Sequence, residues 1–196
     1  MPRKRAVRPL GAVQVRQWRK RRIMRGYFGI GSERISKAMN LGAVLRTSHA
    51  FGASFAFSVA AHHRTKEVNL ADTAHSSAHL PYYAWDTLDA MRLPQGCVLV
   101  GVELDESAVD LPSFRHPMQA AYFLGPEKGS LSPEAAARCA YLIKIPTRFC
   151  VNLSVAAAIV MYDRVLSLGG HPPRPVSTGG PPPMEDWRAP GVKTKR

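Results

Sequence analysis

Phe123-Leu-Gly-Pro-Glu-Lys-Gly-Ser-Leu-Ser132, followed by Ile145-Pro-Thr-Arg-Phe-Cys-Val-Asn-Leu-Ser-Val-Ala156, decides how this chain is read. In each segment an apolar run of strand length empties into a polar loop, and an apolar helix follows the second loop. Residues 119–124 and 141–145 have the continuous apolar character of buried strands. The Ile145-Pro146 step leaves the second of them extended, because a residue before proline avoids helical angles. Working outward, residues 27–30, 54–59 and 98–103 read as further strands. Asn40 reads as the N-cap of a helix carrying Leu41, Val44, Leu45 and Phe51 at helical spacing, with Gly52 as its stop. Residues 87–92 and 134–139 read as short helices. Residues 155–168 are apolar almost all round, as in a helix buried on more than one side, with Asn152 or Ser154 as cap. Short strands alternating with helices predict an α/β domain with a mostly parallel sheet flanked by helices.

Charge divides the chain differently. Residues 1–25 carry ten Lys or Arg and no acid, residues 171–196 carry five basic and two acidic residues, and residues 26–170 hold twelve of each sign. The whole excess of +13 therefore sits in the two ends. The expected organisation is a flexible basic arm (1–25), one folded domain (26–170) and a Pro-rich basic tail (171–196). Such ends fit a polyanion, since each phosphate neutralised releases counterions. A solubilising tail is the plainer alternative.

Other classes are set aside by composition. No apolar run approaches the ~18 residues a membrane span needs. The basic start has no apolar core of the secretory kind, although an Arg-rich, acid-free start also fits an organelle transit peptide. Cys97, Cys139 and Cys150 are odd in number and form no Cys-x-x-Cys, so neither a disulfide framework nor a structural zinc is expected, and a reducing cytoplasm is. Residues 61–81 lack periodicity and read as a loop. Their histidines, His62, His63, His75 and His79 among them, lack the spacing of a metal site. Arg64 and Lys66 in that loop could meet phosphates, and Tyr82, Tyr83 and Trp85 read as packing residues.

Residue chemistry alone leaves two readings at each polar loop. Gly125-Pro126-Glu127-Lys128-Gly129 is either a tight turn with a surface Glu-Lys pair or a ligand loop at the carboxyl end of a strand. No P-loop or Gly-x-Gly-x-x-Gly pattern accompanies it. Arg46 is either a solvated helix residue or a guanidinium that holds a ribose phosphate and polarises the adjacent 2′-hydroxyl.

These two blocks, taken in order after Asn40-Leu-Gly-Ala-Val-Leu-Arg-Thr-Ser-His-Ala-Phe-Gly52, resemble the three motifs of the SpoU (TrmH-like) branch of the SPOUT RNA methyltransferases. The resemblance covers roughly residues 26–170. It implies a C-terminal trefoil knot, which general topology rules would not suggest. It also implies a homodimer and transfer of a methyl group from S-adenosylmethionine (AdoMet) to a ribose 2′-hydroxyl of tRNA or rRNA. AdoMet would be the only cofactor, with no metal and no membrane. On this resemblance Arg46 assists deprotonation of the 2′-hydroxyl, from either subunit. Asn40 supports it, Glu127 organises the site without acting as base, and Asn152 is the Asn of the third motif. Gly101, Val102, Leu124, Gly125, Ile145 and Cys150 would line the cofactor pocket. Two departures stand in the third block. Cys150 occupies the place of a usual serine, and the spacer before it is three residues shorter. An RNA-binding relative that has lost catalysis is the rival these departures raise.

Overall fold

The computed structural model describes residues 26–62 and 79–170. The basic arm, the Pro-rich tail and most of the 61–81 loop, with His63, Arg64, Lys66 and His75, lie outside the described residues. Seven strands form one sheet: β1 (Tyr27–Glu33), β2 (Phe55–Val59), β3 (Tyr82–Trp85), β4 (Val98–Val102), β5 (Val109–Asp110), β6 (Gln119–Leu124) and β7 (Tyr141–Lys144). Their order is β3-β2-β1-β6-β4-β7-β5, and every neighbouring pair is parallel. Helices α1 (Ala38–Phe51) and α3 (Leu153–Ser167) cover one face, and the short α2 (Pro133–Arg138) packs on the other. The expected α/β architecture is thus an all-parallel sheet between helices.

Strand β1 shows why a central strand can contain two glycines. Phe28 and Ile30 point into the core beneath α1 and α3, where Leu41, Val44, Leu45, Ala157, Val160 and Met161 meet them. Gly29 and Gly31 point the other way and register with Phe55 and Phe57 of β2. A Cβ on Gly29 would sit 2.3 Å from the Phe55 ring, and one on Gly31 2.5 Å from the Phe57 ring. The rings fill the room the glycines leave. Phe57 then stacks on Phe123 at 5.5 Å and joins the second core layer with Leu131 and Ala135.

Several expectations need correcting. Residues 87–92 form only a single 3₁₀ turn, Leu88–Ala90, capped by Thr87. Strand β3 was not expected, since Tyr82, Tyr83 and Trp85 read as packing residues; they do pack, but on an edge strand paired to β2. The two-residue β5 was also missed. The largest surprise is in α3, which buries a charge. The Arg164 side chain is fully enclosed and donates to the carbonyls of Tyr27, Pro117 and Met118 and to the Tyr122 hydroxyl, at 2.7–3.1 Å. It clamps the amino-terminal ends of β1 and β6 to α3, at the edge of the sheet opposite the polar loops. Beside it His116 bridges the Tyr122 hydroxyl and Asp163. Burial pushes the Tyr122 phenol up to about 12, against the lowering pull of Arg164.

Candidate active site

A parallel sheet delivers every strand to the same edge, so the loops after adjacent strands β6, β4 and β7 meet. They enclose a cleft of about 240 Å³. Val102, Leu124, Gly125, Ile145 and Cys150, the residues the family resemblance points to, line it. Gly101 does not. Side chains alternate across a strand, and the Cβ direction of Gly101 runs to Leu142, Cys139 and Leu131 on the face away from Val102. Its lack of a side chain serves that packing.

Glu127 organises the mouth of the cleft. Its carboxylate accepts from the backbone N–H and hydroxyl of Ser36, the N–H of Lys37 and the Asn40 amide, all at 3.0 Å. Burial pushes the Glu127 carboxyl up. The hydrogen bonds from Ser36, Asn40 and Lys37 outweigh it and hold the pKa down at about 2. Such a group is ionised at any working pH and a weak proton acceptor, and its hydrogen bonds hold the loop after β6 against the start of α1.

Those contacts also move the start of α1. Asn40 is not its N-cap: the helix begins at Ala38, with Lys37 in the capping position and no side-chain cap of its own. The acceptor that sequence reading sought in Asn40 comes instead from Glu127, across the fold. Asn40 sits buried in the first turn and joins two motifs. Its Nδ2 donates to Glu127, and its Oδ1 accepts from Asn152 Nδ2 at 3.2 Å. Asn152 in turn caps α3, its Oδ1 accepting from the Ser154 N–H at 2.9 Å and hydroxyl at 2.7 Å. A single hydrogen-bonded chain therefore runs from the loop after β6 through α1 to the start of α3.

The 125–132 loop is pinned again further along. Leu131 N–H donates to Glu103 Oε2 at 2.8 Å, and Ser132 donates through its N–H and hydroxyl to the buried Glu33, both at 2.7 Å. Gly125 permits this return. A Cβ there would lie 2.9 Å from Leu131 N and 3.1 Å from the Ser130 carbonyl carbon. Arg46 is exposed on α1, does not line the cleft, and lies about 9 Å along the helix from Asn40. Sequence reasoning missed Glu103, Ser36 and Lys37. The apolar run reads as a strand through residue 103, whereas β4 ends at Val102 and leaves Glu103 as the first residue of the cleft loop.

Among the described residues no group of three or more His, Cys, Asp or Glu is placed to hold a metal ion. Nor is any helix there long and apolar enough to cross a membrane.

The model of the SpoU rRNA methylase family matches residues 28–162. No curated protein sequence matches the chain. Among solved structures, the SpoU methyltransferase AviRb from Streptomyces viridochromogenes, in complex with AdoMet, is similar at a TM-score of 0.63 and 22% identity, over 76% of this chain and 60% of that one. The A. aeolicus TrmH/SpoU tRNA modifying enzyme gives 0.62 and 20%, over 79% of this chain and 84% of that one. A structure solved for the 2-OH methylation of C/U34 on tRNA gives 0.66 and 22%, over 74% of this chain and 99% of that one. The chain spans about three-fifths of the AviRb chain, and at these identities the structural likeness establishes the fold.

Proposed function

Since the chain belongs to the SpoU rRNA methylase family, we propose that it transfers the methyl group of AdoMet to a ribose 2′-hydroxyl of tRNA or rRNA. The observation that carries this reading is the Glu127–Asn40–Asn152 chain, which ties all three motif blocks to one cleft. The cleft suits AdoMet on its own terms. Its walls are apolar at Val102, Leu124, Ile145 and Leu153, Gly125 in its lining could not bear a Cβ, and Glu103 offers acceptor positions that the protein's own donors do not fill. When bound there, AdoMet supplies an electrophilic sulfonium methyl.

The chain's own residues do the rest. Val102, Leu124, Gly125, Ile145 and Cys150 hold the cofactor. Asn40, Glu127 and Asn152 keep the three loops in one arrangement, so that oxygen and methyl carbon meet already oriented. The always-charged Arg46 holds the RNA phosphate and lowers the cost of deprotonating the 2′-hydroxyl. Because Arg46 is exposed and away from the cleft of its own chain, it serves the cleft of a partner subunit in a homodimer. Exposed apolar side chains on the same two helices support that assembly: Met39 on α1, and Val155 with Tyr162 on α3, 77%, 47% and 42% accessible. The basic ends, 1–25 and 171–196, capture RNA. The C-terminal knot and a cytoplasmic setting belong to the same proposal.

The test is methyl transfer from labelled AdoMet to total tRNA and to rRNA, with wild type and Arg46→Ala in parallel. Transfer by wild type that is lost in the variant supports the reading. Bound AdoMet with no transfer to either pool favours an RNA-binding protein without catalysis.

A further inference from the structure

Resting on the reading of the cleft as an AdoMet site, we propose that Glu103 recognises the 2′,3′-diol of the cofactor's ribose and so makes the cleft selective for a ribonucleoside. The inventory of acceptors in the cleft leads there. Two carboxylates line it. Glu127 takes four donors from the protein itself, which matches the roughly four lone-pair positions of a carboxylate. Among the described residues Glu103 takes two, the N–H groups of Leu104 at 3.2 Å and Leu131 at 2.8 Å. Half its accepting capacity is left, in a cleft whose neighbouring walls at Val102, Leu104 and Leu124 carry no side-chain donor.

Position and rigidity match the role. Glu103 directly follows β4, the middle one of the three strands whose loops form the cleft. An acidic side chain at the carboxyl edge of a parallel sheet is well placed to accept from sugar hydroxyls, which are donors that an apolar wall cannot satisfy. Each Glu103 oxygen is fixed by its own backbone N–H. Oε2 also lies 3.3 Å from where a Gly125 Cβ would be, so that glycine leaves the space beside the carboxylate open. A carboxylate held in this way loses little freedom on binding.

Calorimetric titration of the full chain with S-adenosylhomocysteine and its 2′-deoxy and 3′-deoxy analogues tests the assignment without turnover. This ligand has no sulfonium, so simple attraction between Glu103 and a positive sulfur does not enter. Wild type should bind the parent about ten- to a hundredfold more tightly than the deoxy analogues, the range expected of hydrogen bonds to a charged acceptor. Glu103→Ala should weaken the parent by a similar factor while leaving the analogues nearly unchanged. Glu103→Gln keeps an oxygen for Leu131 N–H and should lose part of the discrimination. The ratio within each variant cancels any general loosening of the loop. Equal affinity of wild type for parent and analogues, or an equal loss for all ligands in both variants, would overturn the role of Glu103 while leaving the cofactor reading intact. No binding of the parent by wild type would remove both.

Discussion

Replacing Glu127 with Gln removes a charge on which four donors converge. The amide offers one oxygen and turns an NH₂ toward groups that are themselves donors, so at most two of the contacts from Ser36, Lys37 and Asn40 survive. A fall of the Glu127 pKa from an ordinary 4.5 to about 2 corresponds to about 3.4 kcal/mol of preference for the ionised form. The carboxylate is only half-buried, and the solvent that reaches it screens the interaction and leaves about 1.5 kcal/mol as its contribution to stability. The sign follows from the direction of the shift. A pKa depressed in the folded state gives stability that is complete above the unfolded value of 4.5 and is lost as pH falls toward about 2. Urea unfolding of wild type and Glu127→Gln at pH 7, 4 and 3 reads this out. The variant should be less stable by about 1.5 kcal/mol at pH 7, and the gap should narrow by more than half by pH 3. A gap of the same size at every pH would refute the claim that the charge of Glu127, rather than its shape, anchors the start of α1.

Three further outcomes follow from the same geometry. Asn152→Ala should lose the cap of α3, worth about 1 kcal/mol in urea unfolding, and most of the methyl-transfer rate. Asn152→Ser can still cap, so it should restore the stability but not the rate; recovery of both would show that the link to Asn40 is idle. Arg164→Met strips donors from three backbone carbonyls and Tyr122, and should cost about 3 kcal/mol, lowering the melting temperature by about 10 °C. A melt within 2 °C of wild type, on the order of experimental error for a domain of this size, would mean the buried clamp adds no net stability. Gly125→Ala forces a methyl against the Leu131 and Ser130 backbone, and calorimetry should show S-adenosylhomocysteine binding weakened about tenfold or more, as overpacking predicts; unchanged affinity would show that the loop yields freely.

The cleft was legible in the chain because its walls are where apolar strand runs stop abruptly at Gly-Pro and Ile-Pro steps, and a parallel sheet brings such ends together. The pocket residues Val102, Leu124, Gly125, Ile145 and Cys150 could be named from those stops together with the family resemblance. What sequence could not show is which distant group satisfies a local need. Asn40 looked like a cap because cap residues precede apolar helical runs; the true acceptor, Glu127, lies 87 residues away. Nothing in the sequence marks Arg164 as buried, since its partners are carbonyls at strand starts, which have no sequence signature. Gly101 and Glu103 were misjudged through register. Moving the end of β4 back by one residue turns Glu103 into the cleft, and alternation along the strand turns Gly101 away from it. Edge strands β3 and β5 were missed because each pairs on one side only, and needs little of the continuous apolar character that marks a central strand.

The most direct test of the central claim is to digest tRNA and rRNA from cells with and without this gene to nucleosides, and compare their methylated ribonucleosides by mass spectrometry. A 2′-O-methylated nucleoside should be missing without the gene. It should return when the deficient RNA is incubated with purified protein and AdoMet, and not with the Arg46→Ala variant. Identical nucleoside profiles in every RNA pool, or a methyl group found on a base, would contradict ribose methylation as the activity of this cleft.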